Sequence, residues 1–178
     1  EYPALDAHGC TYLDYTAANL YATSQLERHF LLLRDHVFGN PHSTNPTSSF
    51  ATSSITRVRQ RVLAFFNASP DVWAVIFTAN ASQALKLVGE SYPFGTKSRY
   101  LLTFDNHNSV NGIREFARAK GATATYVPVV LPEMRVDERD LERELDRVDP
   151  GDPGDPGDNV ASNLFAYPAQ SNFSGVKH

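Results

Sequence analysis

From residue 73 onward, short apolar runs alternate with longer amphipathic segments, and this alternation constrains the fold more than any other feature of the sequence. The apolar, β-favouring runs predict strands at 73–78, 99–104, 123–129 and 160–166. Apolar residues at helical spacing predict helices between them at 81–91, 109–120 and 137–148. Strands separated by helices of about 10–15 residues are typical of βαβ units. The sequence therefore predicts an α/β fold with a mostly parallel sheet flanked by helices.

Residues 1–72 follow a different pattern. A short strand is expected at 12–15, in an otherwise irregular stretch. Apolar residues at helical spacing predict a helix at 24–37 and a longer one at 50–67, separated by a polar loop at 40–49. We expect one domain, or most of one, over 1–178, with an N-terminal arm and helix at 1–48 and βα units at 49–178. The Gly-Asp-Pro repeat at 150–158 is expected to be a flexible insertion.

The composition argues against several classes of protein. The formal net charge of the 178 residues is −4, and no basic patch indicates a nucleic-acid partner. No apolar run approaches the roughly 18–20 residues that a membrane-spanning helix needs. No set of His, Cys, Asp and Glu has metal-ligand spacing, so no metal site is expected. The single cysteine, Cys10, gives no disulfide framework, and we therefore expect a cytoplasmic protein.

The stretch at 76–86 predicts a strand end, a sharp turn and a helix start. Asn80 and Ser82 are short polar residues of the kind that cap helices. A helix N-terminus presents unpaired N–H groups and the positive end of the helix dipole, which suits a phosphate group. The ordinary alternative is a capped turn without a ligand. Because neither G-x-G-x-x-G nor G-x-x-x-x-G-K-[ST] is present, the sequence supports neither a dinucleotide site nor a P-loop.

Two further polar clusters follow predicted strands. Residues 105–109 include His107, whose ring can stack on a flat ligand or move protons. Residues 170–175 include Gln170 and Asn172, whose amides can fix a heteroaromatic ring. The alternative for each cluster is an ordinary polar turn. Because ligands bind outside the carboxyl ends of parallel strands, we expect the clusters at 78–82, 105–109 and 170–175 to converge at one edge of the sheet.

Five motifs occur in a characteristic order. They are Tyr-Leu-Asp-Tyr-Thr-Ala-Ala at 12–18, Gly-Asn-Pro-His-Ser at 39–43, Val-Ile-Phe-Thr-Ala-Asn-Ala-Ser-Gln-Ala-Leu-Lys-Leu-Val at 75–88, Asp-Asn-His-Asn-Ser-Val at 105–110 and Pro-Ala-Gln-Ser-Asn-Phe-Ser-Gly at 168–175. Together they resemble the class V aminotransferase-like enzymes, which depend on pyridoxal 5′-phosphate (PLP). Within that group they are most similar to the aminotransferase-like domain of molybdenum cofactor sulfurases, which are relatives of cysteine desulfurases. The resemblance extends from residue 12 to the end, apart from the repeat at 150–158.

This resemblance implies a fold, a cofactor and a reaction. The fold would be the large domain of a type I PLP-dependent aminotransferase-like enzyme. PLP would be held by six residues, of which Asn80, Ala81 and Ser82 bind its phosphate, His107 stacks over the pyridine ring, and Asn172 lies near the ring hydroxyl with Gln170 close by. Sulfur would pass from L-cysteine through a cysteine persulfide, with release of alanine. The acceptor would be the molybdenum cofactor of xanthine dehydrogenase and aldehyde oxidase, and proteins of the family often form homodimers.

The resemblance also implies that parts of the catalytic machinery lie beyond this chain. In the family, the Asp that pairs with the pyridine nitrogen, the Schiff-base Lys and the persulfide Cys all follow the Ser-Asn-Phe-Ser-Gly motif. The chain's four lysines do not stand in the family's lysine context; they are Lys86, Lys97, Lys120 and Lys177. We therefore expect an incomplete N-terminal part of the enzyme, inactive alone.

Two other interpretations remain open at this point. The chain could belong to another class V enzyme, such as a cysteine desulfurase or an epimerase-like protein. It could instead be a truncated, non-catalytic protein that binds a partner or a phosphate ligand through half a site. Another class V enzyme would also depend on PLP, whereas a non-catalytic binding protein would not.

Overall fold

The structure is a computed structural model that describes residues 1–15, 18–147 and 162–178. The chain divides into two compact units, Glu1–Phe77 and Thr78–His178. The Gly-Asp-Pro repeat at 150–158 lies outside the described residues. The predicted division into an arm and helix at 1–48 and βα units at 49–178 stays a prediction.

The first unit contains three helices within its described residues: α1 (Pro3–His8), α2 (Thr23–Asp35) and α3 (Pro46–Phe65). Helix α1 was not expected from the sequence. Helix α3 begins before the predicted residue 50, because Asn45 and Pro46 start it. The Asn45 side chain accepts a hydrogen bond of 3.0 Å from the Ser48 N–H, and Pro46 occupies the first turn. Part of the predicted polar loop is therefore helical.

The predicted strands at 73–78 and 12–15 do not form. A strand is stable only when its backbone groups pair with a neighbour, and no described strand pairs with either segment. The apolar side chains Trp73, Ile76 and Phe77 are 62%, 68% and 52% exposed. Residues 12–15 form no strand, and the Tyr12 hydroxyl donates to the Ala18 carbonyl at 2.8 Å.

The second unit is built around a parallel sheet, which confirms the predicted fold class. Its described elements, in chain order, are α4 (Ala81–Ser91), β1 (Arg99–Thr103), α5 (Asn108–Asn111), α6 (Ile113–Ala119), β2 (Thr123–Val127), β3 (Val129–Val130), β4 (Arg135–Val136), α7 (Glu138–Asp146) and β5 (Leu164–Ala166). The sheet has the order β2-β1-β5, with β1 parallel to both neighbours. Strands β3 and β4 form a separate antiparallel pair.

Strand β1 forms the centre of the core. All five of its residues are buried, as expected for a strand covered on both faces of a parallel sheet. Its Tyr100 and Leu102 pack in one cluster with Ile113 and Ala117 of α6. The single helix predicted at 109–120 is divided at Gly112 into α5 and α6. The packing of α6 against β1 thus positions the carboxyl end of the strand.

The structure also bears on the classes that composition argued against. No helix in the described part of the chain is long and apolar enough to cross a bilayer. Among the same residues, no group of three or more His, Cys, Asp or Glu side chains is placed to hold a metal ion.

Gly121 provides a test of the turn between α6 and β2. Its φ is +86°, and a Cβ there would lie 2.9 Å from Cγ2 of Thr96. Gly121→Ala is therefore expected to destabilise the second unit by about 1–2 kcal/mol, because an L-residue is strained in this region. Faster amide exchange in peptides covering β1 and β2 would measure this loss. Gly95→Ala is the control, since a Cβ there meets nothing within 4 Å, and equal effects of both substitutions would contradict the argument.

Candidate functional site

The first residues of α4 form a capped turn that leaves two N–H groups free. The Asn80 side chain accepts from the Gln83 N–H at 2.9 Å, and the Thr78 hydroxyl donates to the Asn80 carbonyl at 3.0 Å. Within the described residues, the backbone N–H groups of Ala81 and Ser82 have no hydrogen-bond acceptor. These two exposed donors lie at the positive end of the helix dipole, so the turn suits an anion.

Ser109 connects this turn to His107. The Ser82 and Ser109 hydroxyl oxygens are 2.5 Å apart. The Ser109 backbone N–H donates to Nδ1 of His107 at 3.1 Å. Because Nδ1 accepts this bond, the neutral His107 ring carries its proton on Nε2. Two of the candidate residues, Ser82 and His107, therefore lie close together, and Ser109 hydrogen-bonds to both.

Asn106 joins the loop that bears His107 to the neighbouring strand. Its side chain is buried, and its amide NH₂ donates to the Thr103 carbonyl at 2.9 Å and the Thr103 hydroxyl at 3.0 Å. It also donates to the Ala166 carbonyl at the end of β5, at 3.0 Å. The carboxyl ends of β1 and β5 are therefore tied together directly beside His107.

Asp105 and His178 connect the loop after β1 to the last residue of the chain. Asp105 Oδ2 lies 2.7 Å from His178 Nε2, and their side chains are only 3% and 9% exposed. Burial alone would raise the pKa of the Asp105 carboxyl. The hydrogen bond from His178 and the nearby hydroxyls of Thr103 and Ser171 outweigh burial, so the pKa of Asp105 lies below its ordinary value. Asp105 Oδ1 has no hydrogen-bond partner in the described part of the chain.

The loop at 170–177 is closed by contacts between its own residues. The Gln170 side-chain amide donates to the Gly175 carbonyl at 3.2 Å, and Gln170 pairs with Lys177 in an isolated antiparallel bridge. Asn172 is exposed. Among the described residues, no hydrogen bond links Gln170 or Asn172 to residues 80–82 or to His107. Their predicted roles at a ligand stay predictions.

A cleft of about 590 Å³ opens near the carboxyl ends of β1 and β2. Its lining is mostly apolar and includes Phe104, Pro128, Val129, Leu131, Met134 and Phe173. None of the six candidate cofactor residues lines it. Asp105, Asn106 and Asn108 also line it, so the cleft borders the loop that bears His107.

Sequence reasoning missed four residues that organise the site: Asp105, Asn106, Ser109 and His178. The first three lie inside the polar cluster predicted at 105–109, of which His107 was the candidate residue. The local sequence pattern could predict the polar cluster at 105–109, but it could not predict which residues its side chains hydrogen-bond. His178 lies 73 positions from Asp105 and carries no local signal.

The known proteins that this chain is similar to point to one family. The family model described as Aminotransferase class-V matches residues 11–148. A molybdenum cofactor sulfurase of Solanum lycopersicum is 43% identical over 177 residues, covering 93% of this chain and 21% of the relative. Those of Arabidopsis thaliana and Homo sapiens are 39% and 37% identical, covering 99% and 96% of this chain and 23% and 18% of the relatives. The chain thus spans about a fifth of the length of these curated relatives.

Two solved structures share the fold. One is a mutant of C-DES with glycine covalently linked to its PLP cofactor, with a TM-score of 0.63 and 20% identity, covering 83% of this chain and 37% of that one. The other is the cysteine desulfurase CsdA of Escherichia coli, with a TM-score of 0.51 and 16% identity, covering 89% of this chain and 44% of that one. At these identities the likeness establishes the fold.

Proposed function

The chain belongs to the aminotransferase class-V family, and we propose that it forms part of a PLP-dependent molybdenum cofactor sulfurase. The observation that supports this most strongly is 37–43% identity, over nearly the whole chain, to sulfurases of plants and human. The wider family includes enzymes with several reactions. Identity to proteins of one name favours the sulfurase over the other class V enzymes.

The residues at the start of α4 fit the phosphate of PLP. The free N–H groups of Ala81 and Ser82 and the Ser82 hydroxyl are donors, and phosphate oxygens accept. Asn80 holds the turn in shape by bonding Gln83. The His107 ring is exposed and oriented by the Ser109 N–H, which leaves its face available for a flat ring.

Each candidate residue has a binding or orienting role in this proposal. Asn80, Ala81 and Ser82 hold the phosphate, and His107 stacks over the pyridine ring. Asn172 lies near the ring hydroxyl, with Gln170 nearby to support the loop. PLP, when bound, supplies the electron sink for reactions at the carbons of an amino acid.

We further propose the substrates and the setting of the reaction. L-Cysteine donates sulfur, alanine is released, and the molybdenum cofactor accepts the sulfur. The setting is the cytoplasm, which the single cysteine and the lack of a disulfide framework favour. A homodimer is the proposed assembly.

The test is an assay of the complete gene product with PLP and L-cysteine. Alanine formation that requires PLP, together with activation of a desulfo form of xanthine dehydrogenase, is the expected result. Alanine without that activation would contradict the proposed acceptor and favour a cysteine desulfurase. A protein that binds no PLP would contradict the proposed function altogether.

His107 offers a matched pair of variants that test the binding of the cofactor. His107→Ala is expected to weaken PLP binding by about five-fold, because ring stacking contributes about 0.5–1.5 kcal/mol. Titration of PLP followed by absorbance measures this affinity. His107→Phe keeps a flat ring and is expected to restore most of the affinity. If both variants bind as the unsubstituted protein does, His107 does not stack on the cofactor.

A further inference from the structure

We infer that Ser109 is a positioning residue for the cofactor phosphate, because its hydroxyl hydrogen-bonds the Ser82 hydroxyl and turns the Ser82 proton toward the phosphate. The inference rests on the proposed binding of PLP at the start of α4. It adds a residue that lies on a different helix from the phosphate turn. Ser109 itself touches Ser82 rather than the cofactor.

The geometry of the two hydroxyls supports this arrangement. Their oxygens are 2.5 Å apart, at the short end of the range for O–H···O hydrogen bonds. A serine hydroxyl has one proton, so only one of the two donates to the other. Phosphate oxygens accept but do not donate. A bound phosphate therefore favours the chain in which Ser109 donates to Ser82 and Ser82 donates to the phosphate, and each bond strengthens the next.

The position of Ser109 is fixed by its backbone. Its N–H donates to Nδ1 of His107 at 3.1 Å, and the Val110 N–H donates to the His107 carbonyl at 2.9 Å. Asn106, three residues before Ser109, is buried, and its side chain hydrogen-bonds to β1 and β5. Ser109 is partly buried, whereas Ser82 is exposed. The backbone that carries the Ser109 hydroxyl is thus held in place before any ligand binds.

The hydrogen bond to Ser109 restricts the rotamer of the Ser82 side chain. An exposed serine side chain samples three staggered rotamers, and only some of them direct its hydroxyl at a given ligand atom. The bond to Ser109 selects one rotamer in advance. Preorganisation of this kind reduces the entropy that binding must otherwise remove.

The test compares PLP with pyridoxal, which lacks the phosphate, in titrations of the complete gene product. Ser109→Ala is expected to raise the Kd for PLP about five-fold and to leave the Kd for pyridoxal within about two-fold. Ser82→Ala is expected to raise the Kd for PLP about ten-fold. The double variant is expected to match Ser82→Ala, because Ser109 acts through Ser82.

Two variants serve as controls. Ser91→Ala removes an exposed hydroxyl at the other end of α4, and it is expected to leave both affinities unchanged. Ser109→Thr keeps the hydroxyl and is expected to restore the affinity for PLP to within about two-fold. This rescue separates the loss of the hydroxyl from a general disturbance of α5.

Three results would overturn the inference. Equal weakening of PLP and pyridoxal by Ser109→Ala would show a structural role unrelated to the phosphate. Additive losses in the double variant would show that Ser109 acts independently of Ser82. An unchanged affinity for PLP in Ser109→Ala would remove the role itself. If the unsubstituted protein binds no PLP, the proposed function fails as well, so the two failures are distinguishable.

Discussion

Replacing Asn106 with leucine is expected to destabilise the carboxyl end of β1 by about 3 kcal/mol. Leucine branches at the same carbon but has no polar atom, so it cannot replace the Asn106 amide, whose two N–H groups are shared among three acceptors. A bond from each of the two N–H groups contributes about 1 kcal/mol, and the buried Thr103 acceptors that lose their partner add about another 1 kcal/mol. Amide exchange in peptides covering 99–106 and 162–168 measures the change, because it reports local stability within a larger protein.

Asn108→Leu is the matched control for this substitution. Asn108 is exposed, and its side chain makes no hydrogen bond within the described part of the chain. The same replacement there is expected to change stability by less than about 0.5 kcal/mol. If the two variants exchange at the same rate, the amide of Asn106 does not hold β1 and β5 together.

The Asn106 substitution is also expected to affect the binding of PLP. His107 and Ser109 follow it directly, and the loop that bears them would lose its connection to β5. We therefore expect the affinity for PLP to fall in Asn106→Leu and to be retained in Asn108→Leu. This links a buried amide to the orientation of residues that hold the cofactor.

The features that sequence predicted well are those specified locally. Helix α4 has the predicted bounds, 81–91, because a capping Asn80 precedes it and apolar residues recur at helical spacing within it. The parallel sheet followed from alternating patterns, and β1 is buried throughout, as its apolar run indicated. The family resemblance was confirmed by the match of the aminotransferase class-V model to residues 11–148.

The features that sequence reasoning predicted wrongly depend on distant partners or on a competing local signal. The apolar run at 73–78 has strong β propensity, but propensity does not supply a neighbouring strand, and among the described strands none pairs with it. Helix α3 begins early because the cap formed by Asn45 overrides the polar character of the loop. Gly112 divides a helix whose apolar spacing looked continuous.

The same distinction applies to the site. The capping turn at Asn80 was foreseeable because its bonds span three residues. The contact between Ser82 and Ser109 spans 27 positions, and no periodicity reveals it. The ligand contacts of Gln170 and Asn172 stay predictions, since the hydrogen bonds of Gln170 close its own loop.

Asp105→Asn is expected to destabilise the second unit by about 2–3 kcal/mol near pH 7 and to flatten its loss of stability in acid. Removing one partner of a buried pair costs about 3–5 kcal/mol, and the cost is lower here because the amide oxygen of an asparagine could still accept a hydrogen bond from His178 Nε2. The folded pKa of Asp105 lies below its ordinary value, which is about 3.9 in an unfolded chain. Its contribution is therefore complete above pH 4 and is lost as the pH falls through the lowered value.

Amide protection of peptides covering 99–106 and 171–178, corrected for the intrinsic pH dependence of exchange, measures this effect. The unsubstituted protein should lose protection below pH 4, whereas Asp105→Asn should show a smaller change over the same range. Asp146→Asn is the control, because Asp146 is an exposed carboxylate at the end of α7, and its acid profile should follow that of the unsubstituted protein. If all three profiles coincide, the pair of Asp105 and His178 does not join the loop of His107 to the segment that contains Asn172. A steeper acid loss in Asp105→Asn would reverse the sign of the argument, since it would require the folded protein to bind the Asp105 proton more tightly than the unfolded chain does.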